Sequence, residues 1–174
     1  MSECMSAFGG NQGVELSAGL KQLKNEHPPL LQELDGLYSL TQKIDEEVET
    51  ETTFGELIIK VKEFKDHLDK HSEREEGVLF PMMGVYIGTS IGPIAAMEYE
   101  HDQAKLNIST FLSQVEQHDC LTNAKRKELA QYIQNAYFIL TEHFAKEENV
   151  LFPMAERMLS QEEKAELLLR IQTI

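Results

Sequence analysis

Two pairs of residues are of types that do not belong where the sequence pattern puts them. His71 and Glu75, and again His143 and Glu147, lie four positions apart, so each pair projects from one face of a helix about one turn apart. Both pairs fall on apolar stripes where Leu or Ile would be expected. An ionised carboxylate at such a position is costly unless something pairs it, and two carboxylates in one core also repel each other. A pair of divalent or trivalent metal ions removes both penalties, because it supplies the opposing charge and takes up the lone pairs of imidazole and carboxylate together. With no thiolate in the set, iron-sulfur clusters and copper(I) are disfavoured. Mixed imidazole and carboxylate suit iron, manganese or zinc, and two bridging carboxylates favour iron or manganese, between which spacing does not choose.

These residues sit in an internal repeat. HSEREEGVLFPM (residues 71–82) and HFAKEENVLFPM (residues 143–154) agree at eight of twelve positions, as HxxxEExVLFPM. Glu26-His27 lies 44 residues before His71, and Glu100-His101 lies 42 before His143. The chain therefore reads as two copies of one αα-hairpin, each bringing two histidines and a glutamate inward. The candidate metal ligands are His27, His71, Glu75, His101, His143 and Glu147. Glu75 and Glu147 are preferred over their neighbours Glu76 and Glu148 because only they share the stripe of the histidines. Glu26 and Glu100 point about 100° away from the adjacent histidine, a placement suited to orienting histidines or lining access. His67 is assigned to the pocket or to the layer behind the ligands, and His118 to an exposed helix end. The shared LFPM is read as packing plus a proline that shapes the helix.

The elements that must carry these residues are all helical. A short helix is predicted over about Glu15 to Glu26, interrupted by Pro28 and Pro29, which start a first long helix running to about Val48. Thr53 and Glu56 have capping-box spacing for a second long helix, with Leu57, Val61, Phe64, Leu68, His71, Glu75, Leu79 and Met82 inward. Gly84 to Pro93 reads as the loop between the halves. A third helix is expected from about Ile94 to His118. A fourth follows from about Asn123 to Met158, its stripe including His143, Glu147, Val150 and Met154. Ser160 and Glu163 form a capping box for a C-terminal helix. The expected fold is all-α, an antiparallel up-down four-helix bundle with short extra N- and C-terminal helices. Residues 1–14 are expected to be a flexible N-terminus and residues 15–174 one domain.

Composition sets outer bounds. Hydrophobic residues make up 41% and charged residues 26%, which excludes the disordered and membrane classes. Thirty acidic against sixteen basic residues give a net charge of -14, which opposes binding to nucleic acid or to anionic membrane surfaces. Only Cys4 and Cys120 occur, without CxxC spacing, and nothing resembles a signal peptide, so a cytoplasmic location is expected.

Over roughly Leu16 to Met158 these motifs resemble the hemerythrin-like, or HHE cation-binding, family. The resemblance implies four long helices holding two non-haem iron ions, bridged by an oxo group and carboxylates. Oxygen-carrying members use a fifth histidine in HxxxH on the third helix and end on HxxxxD. Here Lys105 stands four after His101, and the last motif is HxxxE. The set of four histidines and two glutamates is more similar to the di-iron domain of iron-sulfur repair proteins, in which each iron takes two histidines and both carboxylates bridge. That resemblance implies iron handling or a response to nitric oxide and oxidants, with an iron-sulfur protein as recipient. Oxygen binding or sensing, and a di-iron oxidoreductase acting on nitric oxide or peroxide, stay open beside it.

Overall fold

The computed structural model of the protein describes residues 13–118 and 120–174. Residues 1–12, most of the expected flexible N-terminus with Cys4, lie outside them. The described chain is all-helical: α1 (Ala18–Asp45), α2 (Thr50–Arg74), a π-helical segment (Glu75–Leu79), α3 (Phe80–Ile87), α4 (Pro93–Glu116), α5 (Asn123–Lys146), a second π-helical segment (Glu147–Leu151), α6 (Phe152–Met158) and α7 (Gln161–Ile171). α1 packs on α2 and α5, α4 on α5 and α2, and α7 on α1 and the first π segment. Among the described residues no helix is long and apolar enough to cross a membrane.

The separate N-terminal helix is not formed, because Pro28 and Pro29 lie inside one continuous α1. A proline in a helix leaves the carbonyl four residues earlier without its donor. Those carbonyls belong to Lys24 and Asn25, which like both prolines are exposed, so the break in the hydrogen-bond ladder falls on a solvent-facing side of the helix. Thr53 does not cap α2 either. The helix starts at Thr50 after Glu49 in a left-handed conformation (φ 43°), and the Thr53 hydroxyl donates to the Val48 carbonyl at 3.1 Å. The expected loop from Gly84 is shorter, since α3 runs on through Ile87. Gly88 (φ +74°) and Gly92 (φ +85°) make the turn, where a side chain would strain the backbone. At the C-terminus the Ser160–Glu163 capping box forms as predicted.

The largest departure concerns phase. In each repeat the glutamate opens a π-helical turn, so that the Phe80 N–H bonds to the Glu75 carbonyl and the Phe152 N–H to the Glu147 carbonyl. Each turn adds one residue to the helix and rotates the side chains beyond it. The inward stripe therefore continues through Leu79, Phe80 and Met83 and through Leu151, Phe152 and Ala155, all buried. Val150, expected inside, is 53% exposed, and Met82 and Met154 are only half-buried. Pro81 and Pro153 sit in the first turn beyond each π segment, where a missing N–H is tolerated.

Two apolar clusters make the core. One gathers Leu30 to Ile44, Phe54 to Leu68, Ala104 to Phe111 and Leu129 to Phe144; the other gathers Leu20, Leu23, Val78 to Met83, Ile94, Met97, Leu151 to Leu159, Leu167 and Ile171. In sequence each of the four buried histidines falls where its helix passes from one cluster to the other. A polar layer thus divides the core.

α7 closes the end of the second cluster. A Cβ on the buried Gly19 would meet Leu167 Cγ at 3.0 Å and the Leu168 backbone nitrogen at 3.1 Å. Arg74 adds a hydrogen bond from Nε to the Ile171 carbonyl at 3.1 Å. Gly19→Val is expected to lower stability by about 1–3 kcal/mol through overpacking, measured by urea denaturation.

Candidate metal centre

The polar layer consists of His27 from α1, His71 from α2, His101 from α4, His143 from α5, and Glu75 and Glu147 at the mouths of the two π segments. All six are at most 1% exposed. They form two groups, His27, His71, Glu75 and Glu147, and Glu75, His101, His143 and Glu147, with the donor atoms of each group within 4.8 Å of one another. The two glutamates belong to both groups. Glu75 places Oε1 3.5 Å from His71 Nε2 and Oε2 3.4 Å from His101 Nε2. Glu147 places Oε1 3.0 Å from His143 Nε2 and Oε2 3.3 Å from His27 Nε2. All six residues singled out in the sequence come together.

Four imidazole Nε2 atoms and four carboxylate oxygens here are buried without a hydrogen-bond partner. Buried polar groups are nearly always satisfied, so eight orphans in one place require an explanation. A metal ion supplies it: donors bound at about 2.1 Å lie roughly 3 Å apart around an ion, close to the separations here. The residues fit a metal in kind as well as in spacing, with imidazole and carboxylate suiting iron, manganese or zinc.

The opposite face of every imidazole is fixed. His71 Nδ1 lies 2.8 Å from Glu26 Oε2, His101 Nδ1 2.7 Å from Glu76 Oε1, His143 Nδ1 3.0 Å from Glu100 Oε2, and His27 Nδ1 2.9 Å from Glu148 Oε1. A carboxylate at Nδ1 holds that nitrogen protonated and leaves Nε2 free as a donor to metal. Each of these glutamates also faces a cation: Arg74 at 3.3 Å from Glu26, Lys105 at 2.7 Å from Glu76, Lys24 at 3.5 Å from Glu148, and Lys146 against Glu100. Orienting roles for Glu26 and Glu100 were expected. Those of Glu76 and Glu148 were not, although the doublets Glu75-Glu76 and Glu147-Glu148 mirror Glu26-His27 and Glu100-His101 and carried the signal. Lys105, in the place of a further histidine, serves Glu76 instead. His67 is exposed and pairs with Glu33 at 2.9 Å, in a cavity of about 330 Å³ that also touches Glu26 and His71. His118 is exposed and bonds to the Gln114 carbonyl at 2.7 Å.

Aromatic rings enclose the layer. Phe144 stacks on His27 at 4.5 Å, Phe152 on His27 at 5.5 Å and Phe80 on His101 at 5.8 Å. The Leu-Phe step shared by the two repeats thus has a packing role against imidazole.

Charge coupling is strong in this dry setting. Burial opposes an imidazolium at His101, but Glu75 and Glu76 overcome it and raise the pKa to about 9. Burial is likewise outweighed at His71, which Glu75 and Glu26 push above its usual value. Glu76 is brought down to about 2 against its own burial by His101 and Lys105. Glu147 is held below the usual carboxylate range by His143 and His27, again against burial. Because the folded pKa of His101 lies above its ordinary 6.5, its contribution to stability is full below pH 6.5 and is lost as pH rises through about 9. Calorimetry of the metal-free protein is expected to show Tm falling across that window, whereas a metal-loaded sample, with the imidazoles neutral and ligating, stays flat. Glu76→Gln is expected to weaken metal binding about 10- to 100-fold in a competitive chelator titration, with the helix content unchanged.

Comparison with known proteins agrees with this geometry. The curated relatives include proteins named iron-sulfur cluster repair protein YtfE, from Dickeya chrysanthemi at 39% identity over 95 residues (53% of this chain, 43% of the relative) and from Escherichia coli O1:K1 at 34% over 93 residues (52% and 42%). The aligned part is less than half the length of these relatives. The profile of the hemerythrin HHE cation-binding domain matches residues 18–155, which hold all six residues of the centre. The chain belongs to the hemerythrin HHE cation-binding domain family.

Proposed function

We propose that the protein is a non-haem di-iron protein that acts in iron handling and in the response to nitric oxide or oxidants, in the manner of iron-sulfur repair. The observation that carries this reading is the sharing of Glu75 and Glu147 between two histidine pairs, with eight orphaned donor atoms facing inward. Two ions fit the pattern better than one. His27 and His71 would hold one, His101 and His143 the other, and Glu75 and Glu147, whose oxygens lie beside a histidine of each pair, would serve both. The carboxylates offset the charge of two ions in a dry core, which suits iron, with manganese or zinc as competitors for the same donors. The relatives named as iron-sulfur cluster repair proteins support the repair role, which would have an iron-sulfur protein as recipient.

The scaffold in this reading is an antiparallel up-down four-helix bundle. Pairs between α1 and α2 support it: Glu26 meets His71 and Glu33 meets His67, so the numbering rises on one helix as it falls on the other. Glu100 with His143 and Asn107 with Asn135 do the same for α4 and α5.

Iron bound to such a centre supplies electron-transfer chemistry and an affinity for small diatomic molecules. The chain's own residues hold the imidazole protons at Nδ1, keep the donors turned inward and exclude bulk water. Anaerobic reconstitution with ferrous iron is expected to give about two irons per chain by metal analysis, in keeping with carboxylate-bridged bundle sites. His71→Ala and Glu147→Ala are expected to lower that content. Full iron content in both variants, or less than two irons in the parent protein, would overturn the reading.

A further inference from the structure

The two π segments are copies of one another in sequence but are covered differently. Aligning residues 71–82 with 143–154 sets Val78 opposite Val150. Val78 is 3% exposed and shares an apolar cluster with Leu167 and Ile171 of α7, whereas Val150 is 53% exposed. α7 packs on the first π segment, where Arg170 Nη2 donates to the Gly77 carbonyl at 3.5 Å. At the other end of α7 the Tyr86 hydroxyl donates to Glu163 at 2.8 Å. α7 therefore lies antiparallel along the first π segment and α3, with its first turn at Tyr86.

The same offset carried to the ends of α3 and α6 sets Val85 and Tyr86 opposite Arg157 and Met158. Val150, Met154 and Met158, at successive four-residue steps, are thus the counterparts of Val78, Met82 and Tyr86. They line a groove of about 570 Å³, whose other side is formed by Gly13, Val14 and Leu16 ahead of α1. Lys24, Arg157 and Glu148 line it too. Lys24 is paired with Glu148 at 3.5 Å, which leaves Arg157 as the groove's unmatched cation among the described residues. Glu148 also holds His27 Nδ1 at 2.9 Å, so the groove borders the outer layer of the histidine–glutamate centre.

We propose that this groove is the docking seat for an amphipathic helix of another protein, one with the chemistry that α7 brings to the repeat-related face. That chemistry is a pair of apolar residues four apart, as Leu167 and Ile171 are, with an acidic residue in the first turn, as Glu163 is. The apolar pair covers Val150 and Met154. The acid meets Arg157, which stands beside the counterpart of Tyr86, and a charge-assisted bond there replaces the neutral phenol contact of the first seat. Val150 to Met158 spans about 12 Å of helix, roughly two turns, which is also the length of α7 between Glu163 and Arg170 to within a residue. The chain thus supplies its own helix to one face of the repeat and presents the other to a partner, which would lie against Glu148 and so beside His27. The proposal goes beyond the metal reading and does not depend on it.

The test uses the full chain and, as the probe, a synthetic peptide of residues 160–174, the α7 segment itself, followed by methyl NMR. Saturable shifts are expected at the Val150, Met154 and Met158 methyls, with weak affinity because a peptide of this length is a marginal helix in water. Val150→Glu, at an exposed position, is expected to weaken the peptide about tenfold or more by placing a charge against its apolar pair, and Arg157→Glu about 2- to 10-fold by like-charge repulsion. No shift at these methyls at millimolar peptide would overturn the proposal, as would shifts confined to Val78, Leu167 and Ile171, where the peptide replaces the chain's own α7. Unchanged affinity in Val150→Glu would overturn it as well. Two other occupants are told apart in the free protein. Nuclear Overhauser contacts from Phe8 to Met154 or Met158 would assign the groove to residues 1–12, and a dimer in sedimentation that Val150→Glu dissociates would assign it to a second copy; either result overturns the proposal.

Discussion

Two carboxylates, Glu75 and Glu147, meet in the dry middle of the helices, and their mutual repulsion sets the terms for the packing around them. Water cannot screen them at this depth, so every neighbouring group is recruited to oppose negative charge. Four imidazoles face them directly. Behind each imidazole stands a further glutamate, and behind each glutamate an arginine or lysine near the surface. Charge therefore alternates outward in layers, from the carboxylate pair through imidazole and glutamate to a cation in contact with solvent. Such layering lets a highly acidic protein keep two anionic residues at its centre.

The π segments belong to the same constraint. Each begins at a central glutamate, where the helix must present a carboxylate inward and still bring the next Leu-Phe back into the apolar core. One added residue per turn allows both, and places Phe80 and Phe152 over the imidazoles. The backbone irregularity and the candidate metal-binding residues thus coincide, as is common for π turns at functional sites.

Much of this was legible in the chain. A histidine or glutamate on an apolar stripe stands out against its neighbours, and the twelve-residue repeat doubled the signal, so the six central residues and the helical class could be read directly. Of the outer glutamates, Glu26 and Glu100 could be given an orienting role, but Glu76 and Glu148 could not, because their histidines lie in the other copy of the repeat and a linear pattern carries no record of how the two copies adjoin. Val150 and Met82 were misplaced because strict three-four periodicity has no term for a π turn. Pro28 and Pro29 looked like a break because the cost of a proline depends on whether the freed carbonyls reach water, a property of packing and not of the residue.

The bonds at Nδ1 also bear on how the protein is assembled. Glu26 serves His71 and Glu100 serves His143 inside a single hairpin, but Glu76 serves His101 and Glu148 serves His27 from the other one, the latter across 121 positions of chain. Neither hairpin alone holds a complete pair of oriented imidazoles. The centre is consequently a non-local feature, complete only when the two copies of the repeat have docked and the cost of closing the longest loop has been met. Metal held by these residues would therefore be coupled to completion of the tertiary structure, and its removal would loosen the seam between the two halves.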